Sequence, residues 1–255
     1  MKKQTNRTGR ERLIFALDIG EDIRRATKWV DLLKDHVGMF KVGKEAFTHF
    51  GPLIVSEIRA RGGKVFLDLK FHDIPNTVAQ AARAAVSMDI SMFNIHALGG
   101  RSMMGATVES VRERAEELGV SRPIILAVTV LTSLDDTNLK DMGFSCSAGR
   151  LAVNLAKIAR DSGVSGVVAS AHDVVPIREA CGEDFLIVTP GVRLDEKVTG
   201  DDQKRVLTPV EAIGRGADYI VVGRPIRLAS DPVAVAEKIG KEIIEGLSMR
   251  KPSQS

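Results

Sequence analysis

The chain has 255 residues, of which 44% are hydrophobic, 27% are charged and only 4% are aromatic. Its formal net charge of +3 is small for this length and gives no argument for a nucleic-acid partner. No apolar run is long enough to cross a membrane. The two cysteines, Cys146 and Cys181, match no metal-binding spacing and no disulfide framework, so we expect a cytoplasmic protein.

Short apolar runs alternate with longer amphipathic stretches along the whole chain. This alternation predicts βαβ units and a parallel sheet. The predicted strands cover residues 13–17, 39–42, 64–69, 92–95, 124–129, 166–169, 185–189 and 219–222. The predicted helices between them include residues 24–35, 46–60, 78–85, 102–118, 148–161 and 210–215.

Eight such units in a chain of this length predict a single-domain α/β fold, a closed (β/α)8 TIM barrel. An open doubly wound sheet would need a glycine-rich dinucleotide fingerprint after the first strand, and the segment Asp18-Ile19-Gly20 lacks the further glycines. We expect the barrel over residues 12–247, between a disordered basic tail over residues 1–11 and a polar tail over residues 248–255. The basic tail lacks the apolar segment of a signal peptide.

The densest group of charged residues follows the third predicted strand. Catalytic groups of such barrels come from the C-terminal ends of strands, and period-two alternation places Asp68 and Lys70 on one side of their strand. Lys41 ends the neighbouring strand and Asp73 follows on the loop. Opposite charges favour each other's ionised forms, so we expect a protonated Lys70 that can give a proton to a carbon or a leaving group. The alternative is a structural ion-pair cluster that closes the top of the barrel.

A second group of residues, at the ends of the last two strands, is typical of a phosphate site. Arg193, Gly223 and Arg224 offer two guanidinium groups and a close backbone approach. Residues 193–205 form a polar segment too long for an ordinary connection. We interpret it as a lid over a phosphorylated ligand, and the alternative is a plain surface loop.

Three further polar residues lie close to the charged group in sequence. For His72, a structural role or a role in an interface is as compatible with its position as a catalytic role. His96, with Asn94 two residues before it, is expected to line the floor of the pocket rather than act as an acid or base.

Residues 66–77, with the sequence FLDLKFHDIPNT, closely resemble the signature of the orotidine 5′-monophosphate decarboxylase family. Further motifs follow in the family's order at residues 16–18, 41–47, 127–133, 189–193, 200–205 and 222–225. The resemblance extends over about residues 13–235 and follows the pattern of the bacterial branch.

The resemblance implies a carbon–carbon lyase that converts orotidine 5′-monophosphate to UMP, the last step of de novo pyrimidine nucleotide synthesis, with no cofactor and no metal. It implies that Lys70 protonates C6 as carbon dioxide leaves, and that Asp68 lies against the substrate carboxylate. Lys41 would contact the ribose and support the charge network. The remaining substrate contacts implied are Asp18 at the ribose, Thr132 at the pyrimidine edge, and Gln203, Arg193, Gly223 and Arg224 at the phosphate.

The resemblance also implies a homodimer. Asp73, Ile74 and Thr77 of one subunit would bind substrate in the site of the other, which makes Asp73 the fourth predicted catalytic residue beside Lys70, Asp68 and Lys41.

Two rival functions remain open at this point. Related sugar-phosphate decarboxylases and aldolases share the Asp-x-Lys-x-x-Asp spacing, but they use magnesium and carry a carboxylate at the end of strand two, where this chain has Lys41. A non-catalytic nucleotide-binding protein would be expected to lose Lys70 or Asp68, and both are present.

Overall fold

The computed structural model of the chain describes residues 9–194 and 207–250. Within them, eight parallel strands follow one another in chain order around a closed barrel, and the first strand pairs with both the second and the eighth. The predicted (β/α)8 barrel is therefore confirmed. The strands are β1 (Leu13–Ala16), β2 (Met39–Gly43), β3 (Val65–Phe71), β4 (Met92–His96), β5 (Ile124–Val128), β6 (Gly166–Val168), β7 (Leu186–Pro190) and β8 (Tyr219–Val222).

Alternate residues of each strand serve two separate cores. In β1, Leu13 and Phe15 pack outward against the helices, whereas Ile14 and Ala16 pack inside the barrel. In β3 the inward position below the mouth is Phe66. The next inward position is two residues further along, at Asp68, because side chains of a strand alternate between its faces. The strand pattern thus brings a carboxylate to the top of an apolar barrel.

The helices surround the barrel and carry one break that differs from the prediction. They are α1 (Ile23–Leu33), α2 (Lys44–Phe50), α3 (Leu53–Ala60), α4 (Pro75–Ser87), α5 (Gly100–Leu118), α6 (Asp136–Asp141), α7 (Ala148–Asp161), α8 (Val174–Cys181), α9 (Pro209–Gly214), α10 (Arg224–Arg227) and α11 (Pro232–Met249). The single helix predicted over residues 46–60 is wrong. Gly51 there has a φ of 58° and Pro52 follows it, so the helix ends and a new one begins.

A buried cluster of charges lies at the opposite end of the barrel from Asp68. Arg178 donates to the carbonyl oxygens of Gly182, Phe185 and Gly216, and its Nη2 lies 2.8 Å from Asp218 Oδ2. That carboxylate oxygen also accepts the backbone N–H of Ile187, which lies in β7. Two further arginines approach the other oxygen of Asp218 at 3.7 Å, namely Arg12 and Arg250. The cluster ties the start of β8 to the helices and loops around it.

The predicted tails fall largely outside the described residues, which begin at Gly9 and end at Arg250. Gly9–Arg12 form a short 3₁₀ helix that packs on α11, with Gly9 so close to the carbonyl of Gly240 that a side chain would not fit. No helix in the described part of the chain is both long enough and apolar enough to cross a membrane.

Candidate active site

Four side chains of alternating charge lie in a row across the mouth of the barrel, and we call Asp18, Lys41, Asp68 and Lys70 the charge row. Lys41 Nζ lies 3.0 Å from Asp18 Oδ1 and 3.3 Å from Asp68 Oδ2. Lys70 Nζ lies 2.5 Å from Asp68 Oδ1. Three of the four predicted catalytic residues are therefore in direct contact, and they come from β2 and β3, which are neighbours in the barrel.

These contacts are needed because the charges are partly buried, and a charge removed from water must be compensated by its neighbours. Burial by itself disfavours the Lys41 ammonium, but the Asp68 and Asp18 carboxylates outweigh it, and the pKa of Lys41 is raised. Burial likewise disfavours ionised Asp68. The ammonium groups of Lys41 and Lys70, with a hydrogen bond from Asn94, outweigh that effect and lower the pKa of Asp68. Lys41 and Asp68 are thus held in their charged forms at neutral pH.

The backbone at Lys70 does not follow the regular alternation from which its position was predicted. Lys70 has a φ of 53°, in the left-handed region. The pairing of β3 with β4 shifts between Leu67 and Phe71, so the strand is irregular where Lys70 lies. Lys70 and Asp68 do meet, but a bulge in the strand brings them together rather than a plain pleat.

An apolar cavity of about 180 Å³ opens beside the charge row. Lys41, Asp68 and Lys70 form one wall, and aliphatic and aromatic side chains form most of the rest, among them Phe66, Val128, Val168 and Val221. Thr132 lies at its exposed rim, after β5. Charges facing an apolar space act more strongly than in water, since little solvent screens them.

A second cavity, of about 190 Å³, lies at the ends of β7 and β8, and we call it the arginine cavity. Arg193 and Arg224 both line it, and Asp18 and Lys41 form its border with the charge row. Burial, and then the neighbouring Arg224, lower the pKa of Arg193, which is the effect expected of two cations beside one cavity. An anion bound there would relieve their repulsion.

Gly223 forms part of the wall of the arginine cavity. A side chain at Gly223 would come within 3.1 Å of Ala16 Cβ in the neighbouring strand β1. The absence of a side chain lets a ligand approach the backbone of β8 and the start of α10. The two cavities share Lys41, Pro190 and Val221, so a single elongated ligand can reach from one to the other.

Three predicted site residues after β3 line neither cavity of the same chain. Asp73, Ile74 and Thr77 are exposed on the loop after β3 and the first turn of α4, and Asp73 Oδ1 accepts the backbone N–H of Ile74 at 2.6 Å. Gln203 lies outside the described residues, as does the predicted lid from residue 195 onward.

The two histidines near the site pair with each other. The ring centroids of His72 and His96 are 5.2 Å apart and the rings are stacked. Burial and then the neighbouring His72 lower the pKa of His96 to about 4, and its Nδ1 has no hydrogen-bond partner among the described residues. His96 is thus a neutral, packed side chain at neutral pH.

No group of three or more His, Cys, Asp or Glu side chains within residues 9–194 and 207–250 is arranged to hold a metal ion. The charge row has two carboxylates, but each is in contact with an ammonium group. This arrangement suits an anionic organic ligand that can use the ammonium groups.

Comparisons with known proteins identify the family of this chain. Residues 11–239 match the family model described as the orotidine 5′-phosphate decarboxylase / HUMPS family. The chain belongs to this family. A protein of Syntrophus aciditrophicus named orotidine 5′-phosphate decarboxylase is 58% identical over 98% of this chain and 99% of its own length, and one of Geotalea daltonii with the same name is 50% identical over 95% and 100%.

Solved structures agree with the membership in the orotidine 5′-phosphate decarboxylase / HUMPS family. The crystal structure of orotidine 5′-phosphate decarboxylase from Lactobacillus acidophilus is similar with a TM-score of 0.79 and 38% identity, covering 91% of this chain and 98% of that one. The predicted family and the predicted class of enzyme, a carbon–carbon lyase, are confirmed by these relatives.

The contacts of Asn94 with the charge row were not predicted from the sequence. Asn94 is fully buried in the middle of β4, between apolar neighbours, and it contacts both Asp68 and Lys70. A lone amide in an otherwise apolar strand was the available signal, because such a group must have hydrogen-bond partners inside the protein.

Proposed function

We propose that this chain converts orotidine 5′-monophosphate to UMP without a cofactor, and that Lys70 delivers a proton to C6 as carbon dioxide leaves. The observation that carries the proposal is the charge row beside an apolar cavity, in a chain that belongs to the orotidine 5′-phosphate decarboxylase / HUMPS family. The match to relatives named orotidine 5′-phosphate decarboxylase over nearly their whole length supports the choice of reaction.

The chemistry explains why an ammonium is needed. When the bond from C6 to the carboxylate breaks, its electron pair stays on C6 in an sp² orbital. The ring carbonyls cannot delocalise this pair. The Lys70 ammonium, aimed in advance at this position, stabilises the developing charge and then transfers its proton to C6. Carbon dioxide leaves, C6 carries the new hydrogen, and Lys70 regains a proton from solvent. Asp68 keeps the ammonium in place at 2.5 Å and would repel the substrate carboxylate.

The two cavities suggest how the substrate lies. The pyrimidine ring fits the apolar cavity, with Thr132 at its edge, and the phosphate fits the arginine cavity between Arg193, Arg224 and the backbone at Gly223. Asp18 and Lys41 lie between them, where the ribose would be. Gln203 remains a proposed phosphate contact from the segment outside the described residues.

We further propose a homodimer in which Asp73, Ile74 and Thr77 of one subunit complete the site of the other. Ile74 is 67% exposed on the loop after β3, so its side chain is accessible to a second subunit. We propose residues 12–247 as the catalytic domain and the cytoplasm as its location, in keeping with two free cysteines, Cys146 and Cys181.

The first test is a spectrophotometric assay of the purified protein with orotidine 5′-monophosphate, with and without excess EDTA. Conversion to UMP at the same rate in both samples is the expected result. No conversion, or conversion only after magnesium is added, would contradict the proposal and favour the sugar-phosphate relatives.

The proposed dimer predicts that two inactive variants restore each other. In the proposed dimer, each site uses Lys70 of one subunit and Asp73 of the other. A mixed dimer of Lys70→Ala and Asp73→Ala therefore has both defects in one site and an intact second site. After equal amounts are unfolded and refolded together, about a quarter of all sites should be active, because half of the dimers are mixed.

The matched control for this experiment is a mixture of Lys70→Ala with Lys41→Ala. Both residues belong to the charge row of one chain, so every site of a mixed dimer would carry a defect and no activity should return. Equal recovery in the two mixtures, or none in the first, would refute the shared site.

A further inference from the structure

The backbone conformation of Lys70 needs a stabilising contact. A φ of 53° is unfavourable for a residue with a side chain and persists only where surrounding contacts hold it. The strand pairing gives no such contact here. Leu67 of β3 pairs with Phe93 of β4, and Phe71 pairs with Ile95. Four residues of advance along β3 thus correspond to only two along β4, so the regular hydrogen bonds between the strands are interrupted beside Lys70.

Asn94 lies opposite this interruption and provides the missing contacts. Its Oδ1 accepts the backbone N–H of Lys70 at 2.8 Å, and its Nδ2 donates to Asp68 Oδ1 at 2.7 Å. Only this orientation of the amide satisfies both partners, because an N–H needs an acceptor and a carboxylate needs a donor. The same Asp68 oxygen accepts the Lys70 ammonium at 2.5 Å. One side chain therefore contacts the main chain of Lys70 and the carboxylate that holds its ammonium.

We propose that Asn94 is a positioning residue for the proton transfer. It holds Lys70 in the left-handed conformation and fixes Asp68, so that the ammonium points into the apolar cavity. The inference rests on the proposed function, because it assigns Asn94 a role through Lys70 and Asp68 and none in contact with substrate. The amide is fully buried, and Phe93 and Ile95 on either side of it in β4 belong to the apolar core.

The first variant to test is Asn94→Ala. It removes both hydrogen bonds, and a misplaced ammonium is expected to lower kcat about 100-fold, since errors of about an ångström have effects of that size. Binding of UMP, measured by calorimetry, should change by less than about fivefold because the phosphate and ribose contacts remain. A purely structural role would lower the melting temperature and leave kcat of the folded protein unchanged.

A control for lost stability is Thr107→Val in α5. Thr107 is also fully buried, and its hydroxyl donates to the carbonyl of Met103 at 2.8 Å, but neither residue lines either cavity. This variant should have a lower melting temperature and the kcat of the unchanged protein.

The second variant, Asn94→Asp, tests the role of the amide through pH. An introduced carboxyl can accept the N–H of Lys70 in any state, but it can donate to Asp68 only when protonated. Its burial beside Asp68 raises its pKa. Near pH 8 we expect the kcat of Asn94→Asp to be as low as that of Asn94→Ala. Near pH 6, where the introduced carboxyl is protonated, the ratio of the Asn94→Asp kcat to that of the unchanged protein should be about tenfold higher than at pH 8. The profile of Asn94→Ala should stay uniformly low.

Two results would overturn the inference: a kcat of Asn94→Ala within threefold of the unchanged protein, or parallel pH profiles for the two variants. If Asn94→Ala does not fold, the pH profile of Asn94→Asp decides alone. Failure of the proposed function is distinct, because then the unchanged protein itself would not decarboxylate orotidine 5′-monophosphate, and the inference would fall with it.

Discussion

Replacing Lys70 by alanine is expected to lower kcat by roughly four orders of magnitude, since the variant loses both a preorganised cation and a proton donor. The affinity for UMP should change by less than about tenfold, because Lys70 does not line the arginine cavity. Asp68 would keep its contacts to Lys41 and Asn94, so the rest of the charge row should stay in place. Steady-state kinetics and calorimetric titration with UMP measure the two effects.

Lys64→Ala is the matched control for this prediction. Lys64 is exposed and directly precedes β3, at the end of the strand opposite the charge row. Its loss should leave kcat and UMP affinity unchanged. Near-normal turnover by Lys70→Ala would show that the proton comes from another group and that the assignment of Lys70 is wrong.

Removing the carboxylate of Asp218 should strongly destabilise the barrel. We expect Asp218→Ala to lower the free energy of unfolding by roughly 3–5 kcal/mol, the range found when one partner of a buried ion pair is deleted. Arg178 would then be a buried cation whose remaining partners are carbonyl oxygens and, at 3.9 Å, the exposed carboxylate of Glu183. Arg12 and Arg250 would lose their shared anion. The backbone N–H of Ile187 would also lose its acceptor. Urea denaturation followed by circular dichroism measures the change.

Asp161→Ala is the control for this prediction, because Asp161 pairs with Arg101 and Arg160 on the surface. Exposed ion pairs contribute little to stability, so this variant should unfold close to the unchanged protein. An equal, small effect of both substitutions would mean that the cluster around Asp218 contributes little to the free energy of unfolding of the barrel.

Most of the fold could be predicted from the sequence because a parallel barrel has strands buried on both faces, which appear as short apolar runs. Each of the eight predicted strands is present, with bounds within two residues of those observed. The largest difference is in β3, which continues to Phe71 beyond its apolar run, since Lys70 and Phe71 still belong to the strand. The break between α2 and α3 was missed although Gly51 and Pro52 both signal it.

The candidate site was predictable in its residues but not in its geometry. Charged residues at strand ends identify Lys41, Asp68 and Lys70, because nothing in an apolar core explains them. The contact between Asp68 and Lys70 depends on a bulge and on a side chain from β4, Asn94, and neither follows from the period of one strand. The contributions of Asp73 and Gln203 depend on a second chain and on the segment beyond residue 194, so they stay predictions.

The left-handed backbone at Lys70 has a consequence for evolution and for engineering. A glycine at this position would adopt the same φ of 53° without steric cost, so the backbone conformation, considered apart from the ion pair of Lys70 with Asp68, would favour it by about 1 kcal/mol. Selection for heat resistance without selection for turnover would therefore act against the residue that the chemistry needs. Libraries built to stabilise this barrel should keep position 70 fixed, since there the most stable sequence and the most active sequence are expected to differ.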